Sequence, residues 1–293
     1  MIVKGNQYTF YTKEARLAHY ETVIKSFFKA IIAQFITSKQ KEWFPQIPIV
    51  MWQRGAIAFG AVAEVAYAVN ATQTTASITV SGSDTLGFGC LHDQATGSTI
   101  TTATWNGSNM TSIKTIAQGG GQGSDYLYGI VSPTTGTVSA TRGTNSNSFE
   151  VSGLYYTGCN QSTTLDATNS SNGTGGATVT TTITPVGSNC WAFSMFHNDS
   201  GSVSLSSGGT LRGAIQSTVS GQADSNTTVT AGNPYSIVWN SFNNPGVNWS
   251  WITASIAPPI TTSVKTVNGL AKSSVKTVNG LAIASVKSIN GLQ

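Results

Sequence analysis

The sequence predicts an all-β protein, a two-sheet β-sandwich over residues 55–258, with one amphipathic helix before it and a short strand-turn repeat after it. Charged residues make up only 9% of the 293 residues, against roughly 25% in an ordinary soluble domain. Gly occurs 31 times and, with Ser, Thr and Asn, fills the segments between short runs of alternating apolar and polar residues. Hydrophobic residues amount to 39%, enough to supply a core. Many short alternating runs separated by turn signals are typical of sheets buried on one face.

The N-terminal arm, residues 1–54, is predicted to contain the helix. In "KEARLAHYETVIKSFFKAIIAQFITSKQK" apolar residues recur at spacings of three and four, and Pro45 and Pro48 would end the helix. The apolar stripe of this helix must be buried against another surface. The alternatives are the β domain, a second copy of the chain and a membrane surface. A further alternative is that translation begins at Met51. No run of 18 apolar residues occurs, so we expect no transmembrane segment.

Within residues 55–258, local patterns predict particular strands and turns. Asn106-Gly107 in "TWNGSNMT" indicates a two-residue hairpin loop. In "NWSWITASIA" the period of two places Ile252 and Ile256 on one face and Trp249 and Trp251 on the other. We expect one of these faces to lie outward or under the arm.

The tail, residues 259–293, consists of three 11-residue units that begin at Ser263, Ser274 and Ser285. Each unit contains Asn-Gly, which favours a strand-turn-strand piece over a coiled coil, because a helical Gly costs about 1 kcal/mol. Units of this size cannot form their own core. We therefore expect them to dock in an assembly through apolar residues: Val264, Val267, Leu270, Val275, Val278 and Leu281.

Composition disfavours several classes of function. The net charge of +4 is dispersed, without a basic stripe interleaved with aromatic residues, so we expect no nucleic-acid partner. Three cysteines without a CxxC pair predict buried free thiols more than a disulfide framework or a zinc ribbon. The sequence has few ionisable residues and no GxSxG motif. We expect no enzyme, no catalytic residues and no cofactor.

Two segments resemble each other and suggest a metal site. "FGCLHDQATGS" and "AFSMFHNDSGS" both end a strand at a histidine followed by a polar loop. If the strands are neighbours, His92, Asp93, His197 and Asp199 could converge on a metal ion. The alternative is that both are core strands of related sheets with ordinary strand-end histidines.

Aromatic residues are the candidates for ligand binding. Trp105, Trp249, Trp251 and Tyr126 could stack on sugar rings if they lie on the surface of a rigid sandwich. The alternative is that they are buried between sheets or under the N-terminal helix.

Over residues 56–258 the sequence resembles a family of phage and prophage structural proteins. The resemblance lies in "ATWNGSNMTSI", "YLYGIVSPTTGTVSATRG", "FEVSGLYYTGCNQSTTLDA" and "NPYSIVWNSFNNPGVNWSWITASIAP", and the "VKSINGL" tail is similar to C-terminal repeats of such proteins. It implies a jelly-roll or lectin-like β-sandwich of a tail fibre, head fibre or minor virion protein. No catalytic residues carry over.

The expected function is therefore a non-catalytic virion or surface structural protein that binds a host or a carbohydrate. The alternatives are a purely structural assembly component and a polysaccharide-degrading enzyme. We expect it in the virion, or otherwise outside the cell or on the bacterial surface. Expected partners are other virion proteins, a second copy of the chain or a cell-surface glycan.

Overall fold

The computed structural model describes residues 56–121, 123–143, 147–199, 203–215, 219–240 and 246–259, and four two-residue strands of the tail. The predicted N-terminal helix lies outside the described residues. Among those that are described, no helix is long and apolar enough to cross a bilayer.

The first half of the β domain forms two antiparallel sheets. Inner sheet 1 has the strand order β1-β9-β3-β7-β6, and outer sheet 1 has the order β2-β8-β4-β5. A short 3₁₀ turn, Gly119–Gly121, precedes β7. The strands are β1 (Ala58–Ala68), β2 (Thr72–Thr74), β3 (Leu86–Asp93), β4 (Ile100–Trp105), β5 (Ser108–Asn109), β6 (Thr111–Ala117), β7 (Ser124–Val131), β8 (Val138–Arg142) and β9 (Phe149–Thr157).

The second half forms another two antiparallel sheets. Inner sheet 2 has the order β10-β17-β12-β15-β14, and outer sheet 2 has the order β11-β16-β13. The strands are β10 (Leu165–Thr174), β11 (Thr178–Ile183), β12 (Trp191–Asn198), β13 (Ser204–Ser207), β14 (Thr210–Ile215), β15 (Ser220–Asp224), β16 (Tyr235–Asn240) and β17 (Asn248–Ile256).

The two halves repeat one strand order. The two inner sheets have matching strand orders. Position by position, β1, β9, β3, β7 and β6 of inner sheet 1 correspond to β10, β17, β12, β15 and β14 of inner sheet 2. The outer sheets correspond in the same way, through β2 with β11, β8 with β16 and β4 with β13. The all-β prediction is confirmed, but the described residues form four main sheets where the sequence predicted two.

The sheets are stacked in layers, and hydrophobic clusters fill the space between them. Phe88 of β3 and Phe193 of β12 belong to the cluster between the two inner sheets, where their rings stack with centroids 4.9 Å apart. Leu91, on the opposite face of β3, packs with outer sheet 1, and Phe196 of β12 packs with Trp239 of outer sheet 2. Every residue of β3 and β12 is buried, because each inner sheet is covered on both faces.

The last strand confirms the predicted alternation of faces. Ile252 and Ile256 of β17 pack between the inner sheets, whereas Trp251 packs against outer sheet 2 together with Trp249. The expectation that one face lies outward or under the arm was wrong for this strand, because outer sheet 2 covers it.

Asn106-Gly107 forms the turn of a tight hairpin. Asn106 and Gly107 have φ angles of 46° and 80° and connect β4 to β5, with Trp105 paired to Ser108. Two positive φ angles are the signature of the type I′ turn that suits twisted strands. The predicted hairpin is confirmed.

Two units of the tail each contain a pair of two-residue antiparallel strands. β18 (Thr266–Val267) pairs with β19 (Leu270–Ala271), and β20 (Thr277–Val278) pairs with β21 (Leu281–Ala282). Val264, Val275 and the third unit lie outside the described residues. The three cysteines are free and buried, as predicted.

We expect Gly107→Ala to lower the free energy of unfolding by about 1 to 2 kcal/mol, since an L-residue with a Cβ is strained in the left-handed region. A Cβ at Gly107 would meet no atom within 4 Å. The loss of stability therefore reports backbone strain and not a steric clash. Urea unfolding followed by tryptophan fluorescence measures it.

Gly246→Ala is the matched control for that experiment. A Cβ there also meets nothing within 4 Å, and its φ lies outside the positive range. Equal stabilities of the two variants would contradict the hairpin geometry.

Candidate functional site

A row of buried polar side chains crosses the contact between the two inner sheets, and we call it the polar row. In inner sheet 1, His92 pairs directly with Asp125 on one side and Glu150 on the other. In inner sheet 2, His197 pairs with Ser220 and Ser250 in the same way. The polar row therefore consists of Asp125, His92, Glu150, Ser250, His197 and Ser220, all buried.

The two triplets contact each other residue by residue. The Ser250 hydroxyl donates to Asp125 Oδ2 at 2.5 Å, and the Ser220 hydroxyl donates to Glu150 Oε2 at 2.9 Å. Between these two bonds the imidazole rings of His92 and His197 stack with centroids 3.0 Å apart and an interplanar angle of 16°.

The histidine stack lies at an approximate twofold axis between the halves. His92 and His197 occupy equivalent positions on β3 and β12, and so do Phe88 and Phe193, which also stack on each other. Equivalent residues that meet in pairs are the mark of a twofold relation between two copies of one motif. The sequence similarity around the histidines thus reflects this pairing.

The Nδ1 edges of the two rings are occupied by polar partners. His92 Nδ1 lies within hydrogen-bond distance of Asp125 Oδ1, at 2.5 Å. Gln118 Nε2 donates to His197 Nδ1 and to the Asn248 carbonyl, both at 3.2 Å. The pKa of His197 lies well below its ordinary value. Burial is the larger cause, and the charge of His92 is the smaller one.

Both histidines line a small cavity. It has a volume of about 10 Å³ and is lined by both histidines, Glu150, Ser220 and Gln222, with apolar walls that include Met195. Neither Nε2 atom has a hydrogen-bond partner among the described residues, and the same holds for Gln222 Oε1. A buried polar atom left without a partner costs about 1 to 3 kcal/mol, so the cavity favours a polar occupant.

Glu150 beside the cavity is a buried carboxyl group. Burial raises its pKa to about 7, although the nearby His92 charge and the Ser220 hydroxyl act in the opposite direction. Burial also raises the pKa of Glu64. At neutral pH, Glu150 therefore exists in both its protonated and its ionised form.

Two other buried carboxylates have arginine partners. Arg142 Nη1 donates to Asp93 Oδ1 at 2.6 Å. Arg212 donates to both oxygens of Asp224, at 2.7 and 2.9 Å, and the Tyr156 hydroxyl adds a third bond. Within the described part of the chain, histidine and serine are the partners of the polar-row carboxylates, which sets them apart from Asp93 and Asp224.

The structure brings together only part of the predicted metal set. His92 and His197 meet, but Asp93 is held by Arg142, and Asp199 accepts two bonds from Asn248. The carboxylate at the histidines is Asp125 instead: one of its oxygens and one nitrogen of each ring lie within 4.8 Å of one another. Sequence reasoning missed Asp125 because it belongs to a neighbouring strand, not to the loop that follows each histidine.

Most of the predicted ligand-binding aromatics lie in the interior. Trp105 is 1% exposed and its Nε1 donates to the Thr134 carbonyl, while Trp251 and Tyr126 are also buried. Trp249 is half-buried and donates to the Gly175 carbonyl. The alternative of burial between sheets therefore describes Trp105, Trp251 and Tyr126, and these three side chains do not offer a surface for sugar rings.

Comparison of the chain with known protein families, with curated proteins and with solved structures found no match.

We expect Glu150→Gln to become more stable relative to the wild type as pH rises from 4.5 to 8. Because the pKa is raised from 4.5 to about 7 on folding, the protonated carboxyl stabilises the wild-type fold at low pH. That contribution is lost as pH rises through 7. The gain of the variant approaches about 3 kcal/mol, measured by urea unfolding with EDTA present.

Asp84→Asn is the control for loss of one carboxyl group, since Asp84 lies in a half-buried turn before β3. A difference between Glu150→Gln and wild type that stays constant with pH would show that Glu150 is not desolvated as described.

Proposed function

We propose that this protein is a non-catalytic structural component of a phage particle, made of two successive jelly rolls and an assembly tail. The observation that carries the proposal is the use of the carboxylates: Asp93, Asp125, Glu150 and Asp224 are all buried and bonded to side chains that fix strands and sheets. An acid-base catalyst requires carboxylates that reach a substrate. These four stabilise packing instead.

The strand order supports the jelly-roll interpretation. In each half the chain moves between the inner and the outer sheet, as β1, β2, β3 and β4 lie in inner, outer, inner and outer sheet 1. The strands β10, β11, β12 and β13 follow the same course. Alternation between two antiparallel sheets is how a jelly roll is wound, and viral capsid and lectin domains are built in this way.

The surface favours a structural role over carbohydrate binding. Sugar-binding sites commonly offer an exposed aromatic face, and three of the four candidate aromatics are buried. The exposed large hydrophobic residues of the described chain are aliphatic: Val69, Val131, Val186 and Leu211.

The tail supports a role in assembly. Its hairpins have strands of only two residues each, and an isolated hairpin is marginally stable at best in water. Partner surface would stabilise them, and the repeated apolar positions Val267, Leu270, Val278 and Leu281 provide the same contact in successive units. Repeated contacts of one kind are the means by which subunits join into larger particles.

We expect the full-length chain to form an oligomer that dissociates when aspartate replaces these four apolar residues, because a charge in a docked apolar contact is costly. Light scattering coupled to size-exclusion chromatography measures the mass of each form.

The double variant Thr266→Asn and Thr277→Asn changes the same strands without adding charge and should keep the oligomer. A full-length chain that is monomeric at every concentration, or an aspartate variant that stays oligomeric, would contradict assembly through the tail.

A further inference from the structure

We propose that the histidine stack is an acid-operated release between the two inner sheets, in which protonation of His197 beside His92 separates the two halves. Glu150 opposes the release in mild acid, because its carboxyl group takes up a proton that keeps the halves together. The inference concerns the contact between the halves and does not rest on the proposed function.

The histidine stack places two basic groups in direct contact. The ring centroids of His92 and His197 are 3.0 Å apart at an interplanar angle of 16°, and both residues are buried. Rings stacked in this way direct their in-plane nitrogen lone pairs nearly parallel, so they do not meet at one metal ion. Two protonated rings would instead repel each other, with no water between them to screen the charges.

The hydrogen bonds of His197 favour its neutral form. Gln118 Nε2 donates to Nδ1 of the ring and to the Asn248 carbonyl. A protonated imidazole carries a hydrogen on both nitrogens, so Nδ1 could no longer accept from Gln118. Gln118 belongs to the first half, and His197 and Asn248 belong to the second. Protonation therefore removes a bond that joins the two halves.

The titratable groups that face His197 come from the first half. His92 of β3 stacks on the ring, an oxygen of Asp125 on β7 lies within 4.8 Å of a nitrogen of each histidine, and Glu150 of β9 lines the same cavity. Cys90 of β3 lines the cavity too. Burial raises the pKa of its thiol, so the thiol stays neutral in acid. The neighbouring strands of the second half present hydroxyl groups, Ser220 and Ser250.

Protonation of His197 is linked to opening of the contact. In the closed fold its pKa lies well below the ordinary value of 6.5, through burial first and the charge of His92 second. Separation of the halves exposes the ring and restores the ordinary value. Below pH 6.5 the open state therefore binds more protons than the closed state, and each further pH unit of acid favours opening about tenfold.

Glu150 acts with the opposite sign. Burial raises its pKa from 4.5 to about 7 in the closed fold, so between these pH values the closed state binds the additional proton. Acid in this range strengthens the contact through Glu150 about as much as it weakens the contact through His197. Below pH 4.5 the contribution of Glu150 is complete, and only that of His197 continues to grow.

The buried thiols provide a direct measure of opening. Cys90 belongs to the hydrophobic cluster between the inner sheets, whereas Cys190 belongs to a different cluster, and both are free. Separation of the halves exposes Cys90 before Cys190, while global unfolding exposes both together. The full-length protein is treated with dithiodipyridine, which reacts with thiols in acid, and mass spectrometry of peptides assigns each label. Labelling rates are divided by those of glutathione at the same pH.

In the wild type, the rate at Cys90 should vary less than about threefold between pH 7 and 4.5, because the two contributions cancel. At lower pH it should rise by a factor that approaches tenfold per pH unit, ahead of the rate at Cys190.

Two variants separate the contributions. In Glu150→Gln only the His197 contribution remains, so the rate at Cys90 should rise roughly a hundredfold from pH 7 to 4.5. In His197→Gln only the Glu150 contribution remains, and the rate should fall by a similar factor. The controls are His19→Gln, which removes the one histidine outside the stack, and Asp84→Asn. Both should follow the wild type.

A rate at Cys90 that stays level in Glu150→Gln, or that rises with acid in His197→Gln, would overturn the proposal. Simultaneous labelling of Cys90 and Cys190 in every protein would also overturn it, because the acid transition would then be global unfolding. Circular dichroism at pH 7 shows whether each variant is folded. If His197→Gln is not, the comparison of Glu150→Gln with the wild type still decides.

Discussion

The face-to-face contact of the two inner sheets is the interaction on which the rest of the structure depends. Inner sheets 1 and 2 each have an outer sheet on the far side, so β3 and β12 are buried on both faces. Phe88 and Phe193 stack at this contact, and Tyr156 and Ile252 belong to the same cluster. Without it, each half would expose a broad apolar face. The two repeats therefore share one hydrophobic cluster between their inner sheets.

Polar contacts give this apolar contact a fixed register. Hydrophobic burial depends little on direction, and sheets with two apolar faces could slide against each other. The bonds from Ser250 to Asp125 and from Ser220 to Glu150 are made only when the strands are aligned as observed. Tyr156 of inner sheet 1 adds a bond to Asp224 of inner sheet 2. A slip of one residue would leave these groups buried without partners, at a cost of several kcal/mol in total.

The predictable parts of the fold were those encoded by neighbouring residues. Asn106-Gly107 specifies its turn through two positive φ angles, and alternation along β17 separated Ile252 from Trp251. The similarity around His92 and His197 indicated related strands, and it suggested that the histidines converge only if those strands were neighbours. Asp125 could not be found in this way, because its bond to Ser250 joins residues 125 positions apart. The count of four sheets and the burial of Trp105 likewise depend on long-range pairing.

The difference between the two repeats follows from their twofold relation. Asp125 and Ser220 are equivalent positions, as are Glu150 and Ser250, since each flanks the histidine of its own half. The axis places β7 against β17 and β9 against β15. Identical halves would therefore bring Asp against Glu twice, and two buried carboxylates in contact repel each other. Carboxylates in one half require hydroxyl donors in the other, so the duplicated motif must diverge at these positions while its histidines stay the same.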